Sequence, residues 1–506
     1  MANIANEINN IRHAIYGEEV RGSIIDGIEA INAESENTTS RQKTVETSQE
    51  ALSESQKALN KRWDEQIKNI TDTNPSNVEI IDSRTSLIKD ITFTNLGLRL
   101  NNIEEDLLSR KINVMYPPAG LTGLQRITNT DIEETELQSI ATTNTTALNA
   151  LITYVTTGVP ASTNTTLYFP QGIFPLLNGI RIKNSVSFEG EMGKITSIRY
   201  IQAYTGGTYL YDVSDVESRE PFLEWRKEDT VTADANTGRL PGVFLLGINI
   251  HGRNQKHDGV RLVKTGMVGR IESVTIREFL GHGLYTNMCY DTNVWSLDIT
   301  TCGSVDKIEQ LDENGEILKD SDGNTLYEQR YALCMDATGT GGDTNAWNIF
   351  GLHMEICAYM MDLRNCRHIK FTGCKWEQNT GELGNATYSL INLDKKAKEI
   401  TFVASAISPV DVPNYKTKFG DDFVPAHAVS VAKQDITQTI RFSQCAKFVA
   451  CDFTNVNECM MIKSEASVII DACKFDHVYS GNNSDGSGNY GIYLNGPNNI
   501  ISNSNI

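Results

Sequence analysis

The chain has 506 residues, a formal net charge of −19 and 10 cysteines. That acidic balance argues against nucleic acid or an anionic membrane surface as a partner, and the absence of any run of 18 apolar residues argues against a membrane-spanning helix. No apolar leader follows Met1 and no C-x-x-C pair occurs, so synthesis in a reducing cytoplasm is expected, with no metal site and no cofactor.

The first elements are helical. Ile4, Ile8, Ile11 and Ile15 keep a 4-3-4 spacing, and after Gly17 the stripe resumes at Ile24, Ile28 and Ile31. Residues 32–70 are rich in Ser, Thr, Glu and Gln; Val45, Leu52 and Leu59 recur every seven residues, while Ser48 and Ser55 hold the alternate seam positions. Residues 1–75 are therefore predicted to form an α-helical segment and a thin coiled coil, the alternative being a solvated single helix lying against another subunit. Thr73-Asn74-Pro75-Ser76-Asn77 breaks the helix. Residues 76–116 are predicted as a short extended segment and a second coiled-coil helix, with Phe93, Leu96, Leu100, Ile103 and Leu107 at 3-4-3-4 spacing. Isoleucine at both seam positions, and Leu paired with Ile in the second seam, disfavour dimers and predict a homotrimer.

Residues 117–242 are predicted to hold a capping helix, the first coils of a solenoid and an insertion. Asn144–Ile152 is amphipathic; the apolar segments Thr166–Phe174, Ile180–Ile182 and Val186–Gly190 follow as strands. A Tyr- and charge-rich excursion is expected over residues 203–240, with Tyr204, Tyr209, Tyr211 and Trp225.

Residues 243–506 repeat. Asn348–Glu355 aligns with Lys370–Glu377 at an offset of 22, and Phe448, Cys451 and Phe453 align with Ile470, Cys473 and Phe475 at the same offset. Three apolar columns emerge, and they extend back to Leu245, Ile248 and Ile250 and forward to Ile501, Ser504 and Ile506. A unit of roughly 22 to 31 residues without a helical period marks a β-solenoid, whose coils bury their inner faces only by stacking. Three of the cysteines, Cys374, Cys451 and Cys473, fall in one inward column and are expected as small core residues, not bridges. The last coil, Asn498–Ile506, stops with its inner face uncovered, so further chain or trimer contacts are expected to cover it.

Alternation then assigns the outward positions. One column runs Arg277, Thr300, Glu355, Glu377, Ser408; its neighbour runs Thr275, Asp298, His353, Lys375, Ala406. Coils lie ~4.8 Å apart, so Glu355 and Glu377 should stack at about the carboxylate separation of a retaining glycosidase, as acid and nucleophile or base. The alternative is a solvated lateral face on which the two side chains splay apart. The Gly-rich loop Asp336–Asp343 lacks the strand–loop–helix context of phosphate binding. Asp320–Asn324 is superficially like a calcium loop but is expected to be a turn, as is Glu313-Asn314-Gly315.

The helix, strand-Pro-x-Gly-aromatic, strand, strand-x-Gly order over residues 142–190 resembles the opening of pectate-lyase-superfamily β-helices, common in phage tailspikes and appendages. That resemblance implies a right-handed, pectin-lyase-like parallel β-helix. The segments Asn9–Arg21 and Ile24–Ile28, with Val78–Arg84 and Leu98–Asn101, resemble the docking segment of tail fibres and upper baseplate proteins of phages infecting Gram-positive bacteria. Together the resemblances imply a tail appendage made in the host cytoplasm and carried on the virion tail. Its partners would be other tail or baseplate proteins at the N-terminus and a bacterial surface polysaccharide, teichoic acid or capsule, at the β-helix. In that setting Asp298, His353 and Lys375 are the expected glycan contacts beside Glu355 and Glu377. A true polysaccharide depolymerase, hydrolase or lyase, and a structural baseplate component are the alternatives.

Overall fold

The structure is a computed structural model. It describes residues 12–13, 17–71, 85–86, 91–92, 111–128, 131–157, 165–182, 185–191, 206–215, 217–226, 240–266, 268–310, 317–337, 342–377, 389–408, 427–432, 445–453, 462–475, 492–496 and 498–505. The chain divides into two compact units, Met1–Asp106 and Leu107–Ile506.

The described residues of the first unit include one long helix, α1, Glu18–Thr71. Hydroxyls along it bond back to carbonyls four residues earlier, as Thr44 to Ser40 and Ser48 to Thr44 do, which keeps its small polar residues compatible with a helix. The seven-residue stripe lies on its surface: Val45 is 62% exposed, Leu52 68% and Leu59 54%. The Ile4–Ile15 and Phe93–Leu107 seams lie outside the described residues.

The second unit is a parallel β-helix. Nearly every strand pairs in parallel with its counterpart one coil later. One inner column runs in register through Ile112, Leu167, Phe188, Leu245, Ile271, Val294, Ile349, Phe371, Phe402, Phe448, Ile470 and Ile501. Rings stack where aromatics follow one another: Phe371 on Phe402 at 5.0 Å, Phe402 on Phe448 at 4.9 Å, Phe453 on Phe475 at 4.6 Å. Each buried Phe contributes about 1.5–3 kcal/mol relative to an exposed one, so the periodicity and the stability have the same origin.

Two faces of the coil belong to one 20-stranded sheet, because Gly269–Phe279 and Tyr290–Thr300 run unbroken through the corner between them. The corner is a left-handed residue in every such coil: Ser273, Ser296, Gly351, Gly373, Ala404, Ala450 and Ala472 all have φ between 47° and 66°. Gly351 and Gly373 adopt that conformation without a Cβ clash, whereas the Ser and Ala residues carry its cost. Just after it comes the cysteine column. Burial pushes the Cys374 thiol up to about 11, and the described cysteines are free thiols. Ser405 and Ser504 occupy the same column and accept backbone N–H bonds from Cys374 and Cys473. The third face is a separate ten-stranded parallel sheet, from Ile180–Ile182 to Ile492–Leu494.

Helix α2, Glu134–Thr156, covers the start of the coil, with Leu148, Leu151, Ile152 and Val155 in the same core as Ile112 and Phe174. Asn144 is fully buried there, donating to the Gln125 and Pro175 carbonyls and accepting from the Gln125 N–H.

The expected excursion over 203–240 is corrected for residues 206–215 and 217–226; residues 203–205 and 227–239 lie outside the described residues. Tyr209 and Tyr211 sit on the strand Thr208–Asp212, which pairs with Gly172–Leu176 and Ile248–His251. Trp225 lies on Leu223–Arg226, fully buried, its indole N–H donating to the Val186 carbonyl at 2.8 Å. These residues form two faces of a coil whose other face is Val186–Gly190: Leu210 and Trp225 are fully buried, and the tyrosine-rich composition hid that alternation. Tyr204 lies outside the described residues.

Candidate functional site

The five residues singled out on the lateral face converge. Met354 and Trp376 point into the core and are fully buried, so alternation turns their neighbours outward. His353 pairs with Lys375 and Glu355 with Glu377, while Asp298 pairs with His353 on the other side. His353 Nδ1 lies 2.8 Å from Asp298 Oδ1 and Nε2 lies 2.9 Å from Glu377 Oε1. Lys375 Nζ lies 2.5 Å from Glu377 Oε2.

The electrostatics follow from these contacts. The hydrogen bond to Asp298, reinforced by Glu377 and opposed by partial burial, raises His353 to about 9. The ring is an imidazolium at neutral pH, donating to a carboxylate at each nitrogen. Burial alone would raise Glu377, but hydrogen bonds from Lys375 and His353 outweigh it and hold the carboxyl below its ordinary value. The face therefore presents a fixed carboxylate, a protonated imidazole and a second carboxyl, Glu355. One ligand-type atom from each of His353, Glu355 and Glu377 lies within 4.8 Å of the others. A metal there would have to displace the protons that His353 donates to Asp298 and Glu377. Proton transfer and polar binding are the chemistry this face can perform.

A second polar region was not foreseen. On the ten-stranded sheet the outward ladder reads Arg181, Glu224, Arg261, Tyr285. Asp258, 2% exposed, accepts from Arg261 Nε at 3.1 Å and from the His282 N–H at 2.8 Å, with Arg330 Nη1 at 3.7 Å. Burial alone would raise the Asp258 carboxyl; the charges of Arg261, His282 and Arg330 outweigh it and hold it well below the usual range. Glu328 is held low in the same way, against its burial, by His282, whose Nε2 lies 3.7 Å away, and by the charges of Arg330 and Arg364. Arg364 also bonds Asp362 at 2.6 Å. The antiparallel hairpin of Ser304–Glu309 and Tyr327–Arg330 supplies Glu309, Glu328 and Arg330. At its far end Asp320 Oδ1 accepts the N–H groups of Asp322 and Asn324, each at 2.9 Å: a turn. Residues Glu313-Asn314-Gly315 lie outside the described residues. The available sequence signal was three triplets of charge between apolar residues, Ile180-Arg181-Ile182, Leu223-Glu224-Trp225 and Val260-Arg261-Leu262. Insertions of unequal length kept them from aligning.

No protein-family model matches the chain, and no curated protein matches it. Among solved structures it is similar to ORF18 of Geobacillus virus E2, at 16% identity and a TM-score of 0.53, over 82% of this chain and 65% of that one. The chain thus spans 65% of the length of that relative. Weaker likenesses join it to the alginate lyase of a Paenibacillus species (7% identity, TM-score 0.40, 71% of this chain and 97% of that one) and to the Dettilon tailspike protein (13%, 0.32, 82% and 72%). At these identities what the chain shares with the virus protein is the fold, a parallel β-helix.

Proposed function

We propose that the chain is a phage tail appendage that recognises a bacterial surface glycan with its β-helix. The observation that carries this reading is the charged ladder Asp298–His353–Glu377–Lys375 beside Glu355, held on the outside of a rigid coil and open to a polymeric ligand. The likeness in fold to a Geobacillus virus protein supports a virion setting, and the N-terminal resemblance supports attachment to a baseplate through residues 1–110. In this reading the β-helix is right-handed, as parallel crossovers almost always are. The exposed Val45, Leu52 and Leu59 of α1 are the seam of a trimer.

Cleavage of the same glycan is the second reading, favoured by the pairing of Glu355 with Glu377. Glu377, held ionised, is then the nucleophile or base, and Glu355 the acid. A structural baseplate spacer has no use for this decorated face. The test incubates the purified chain with host teichoic acid and capsular polysaccharide, scoring both retention and new reducing or unsaturated ends. Retention without new ends identifies a binder; neither signal refutes the glycan reading. Light scattering tests the seam, where a monomer or dimer at micromolar concentration removes the trimer.

A further inference from the structure

We infer that the groove over the ten-stranded sheet is a second binding site, for a polymer carrying carboxylate or phosphate groups. The inference rests on the glycan reading for the ligand's backbone; the site itself is separate from the Glu355–Glu377 face. The groove encloses about 760 Å³, within the usual range of ligand sites. The inserted hairpin walls it through Glu309, Gln310, Leu318, Glu328 and Arg330.

Its charges are layered. Three carboxylates lie on the floor, with the side chains of Glu224, Asp258 and Asp336 3%, 2% and 4% exposed, while Glu220 and Glu309 stand at the rim, 62% and 36% exposed. The cations reach outward: Arg181 is 57% exposed, Arg226 44% and Lys256 36%. A guanidinium has five N–H donors in a planar fork, and a floor carboxylate uses only one edge of it. The groove's arginines therefore keep N–H donors that no floor carboxylate takes. Two are already withdrawn from water without a partner: Nη1 of Arg219 and Nε of Arg330 are buried and make no hydrogen bond. A buried N–H left unpaired costs stability, and an anionic group in the groove would satisfy it. The floor carboxylates fix the arginines in place before any ligand arrives. The cations come from residues 181 to 364 of a chain whose net charge is −19, so this groove offers a polyanion attraction that the average surface denies it.

The test is isothermal titration of the full chain with poly(glycerol phosphate), polygalacturonate and neutral dextran, at low and high salt. The variant is Arg181→Gln with Lys256→Gln; both side chains sit at the rim, Lys256 pairs with Glu217, 61% exposed, and the buried Glu224 that lies 3.6 Å from Arg181 keeps Arg226 at 2.8 Å, so folding is preserved. Lys43→Gln with Lys61→Gln on α1 makes the same change in net charge away from the groove. The groove variant is expected to bind at least one anionic polymer tenfold more weakly and with a flatter salt dependence, while the α1 variant matches the parent. Weakening confined to poly(glycerol phosphate) or to polygalacturonate identifies the group as phosphate or carboxylate. Parent-like binding of both polymers by the groove variant overturns the site, as does dextran binding that equals theirs; the glycan reading survives either result. Inorganic phosphate and free galacturonate, followed by thermal shift, separate the remaining cases. A groove-dependent shift without polymer binding keeps the site and sinks the glycan reading; no shift and no polymer binding sinks both.

Discussion

The lateral face and the groove both set carboxylates among cations, yet they are built in opposite ways. On the lateral face the charges stack coil on coil at identical positions in the repeat, and they remain partly solvated: His353 is 35% exposed and Lys375 51%. In the groove the charges come from coils, a loop and an inserted hairpin, and three of the acids, Glu224, Asp258 and Asp336, are almost fully buried. The first arrangement is a ladder that any stacked repeat can produce. The second requires buried charges to be compensated from several directions at once, which makes it expensive to disturb and specific in shape.

The largest expected effect follows from that contrast. Asp258→Ala would leave Arg261 and Arg330 without their shared buried counter-ion and should cost about 3–5 kcal/mol in urea unfolding. Asp298→Ala on the lateral face should cost about 1 kcal/mol or less. Equal losses would abolish the distinction between the two regions.

Acidity should separate them next. Asp258 and Glu328 are held below their unfolded values, so their contribution is present above the ordinary carboxyl range and disappears as pH falls below about 4. His353 is raised from 6.5 to about 9, so its contribution is complete below pH 6.5 and disappears as pH rises through 9. Melting temperature followed across pH should show both limbs in the parent, and His353→Gln should remove only the alkaline one. An alkaline limb that survives this substitution assigns it to other groups.

The smallest effect on stability, about 1 kcal/mol or less, is expected for Glu377→Gln. Its effect on cleavage, where the parent cleaves, should be about 10²- to 10⁴-fold in rate. A Glu377→Gln protein that cleaves at the parent rate moves the chemistry elsewhere, with the groove as the next place to look.

The sequence by itself determined the repeat, the identity of the inward columns and the outward neighbours that each column implies. Phe371 over Phe402 and Glu355 beside Glu377 were both legible, because a strand has a period of two and stacked coils place like residues above like. It also marked α2 as a cap, from an apolar face beside the first strands. Tertiary structure alone decided the rest. Tyr209 and Trp225 looked like an excursion because composition outweighed alternation over a single coil. The charge on His353 depends on contacts from two neighbouring coils, which residue type does not specify. The groove joins Arg181, Asp258, Glu328 and Arg364 across insertions of unequal length, so no fixed offset connects them. A periodic pattern records contacts between equivalent positions; contacts between inequivalent positions, where charges become buried and compensated, exist only once the chain has coiled.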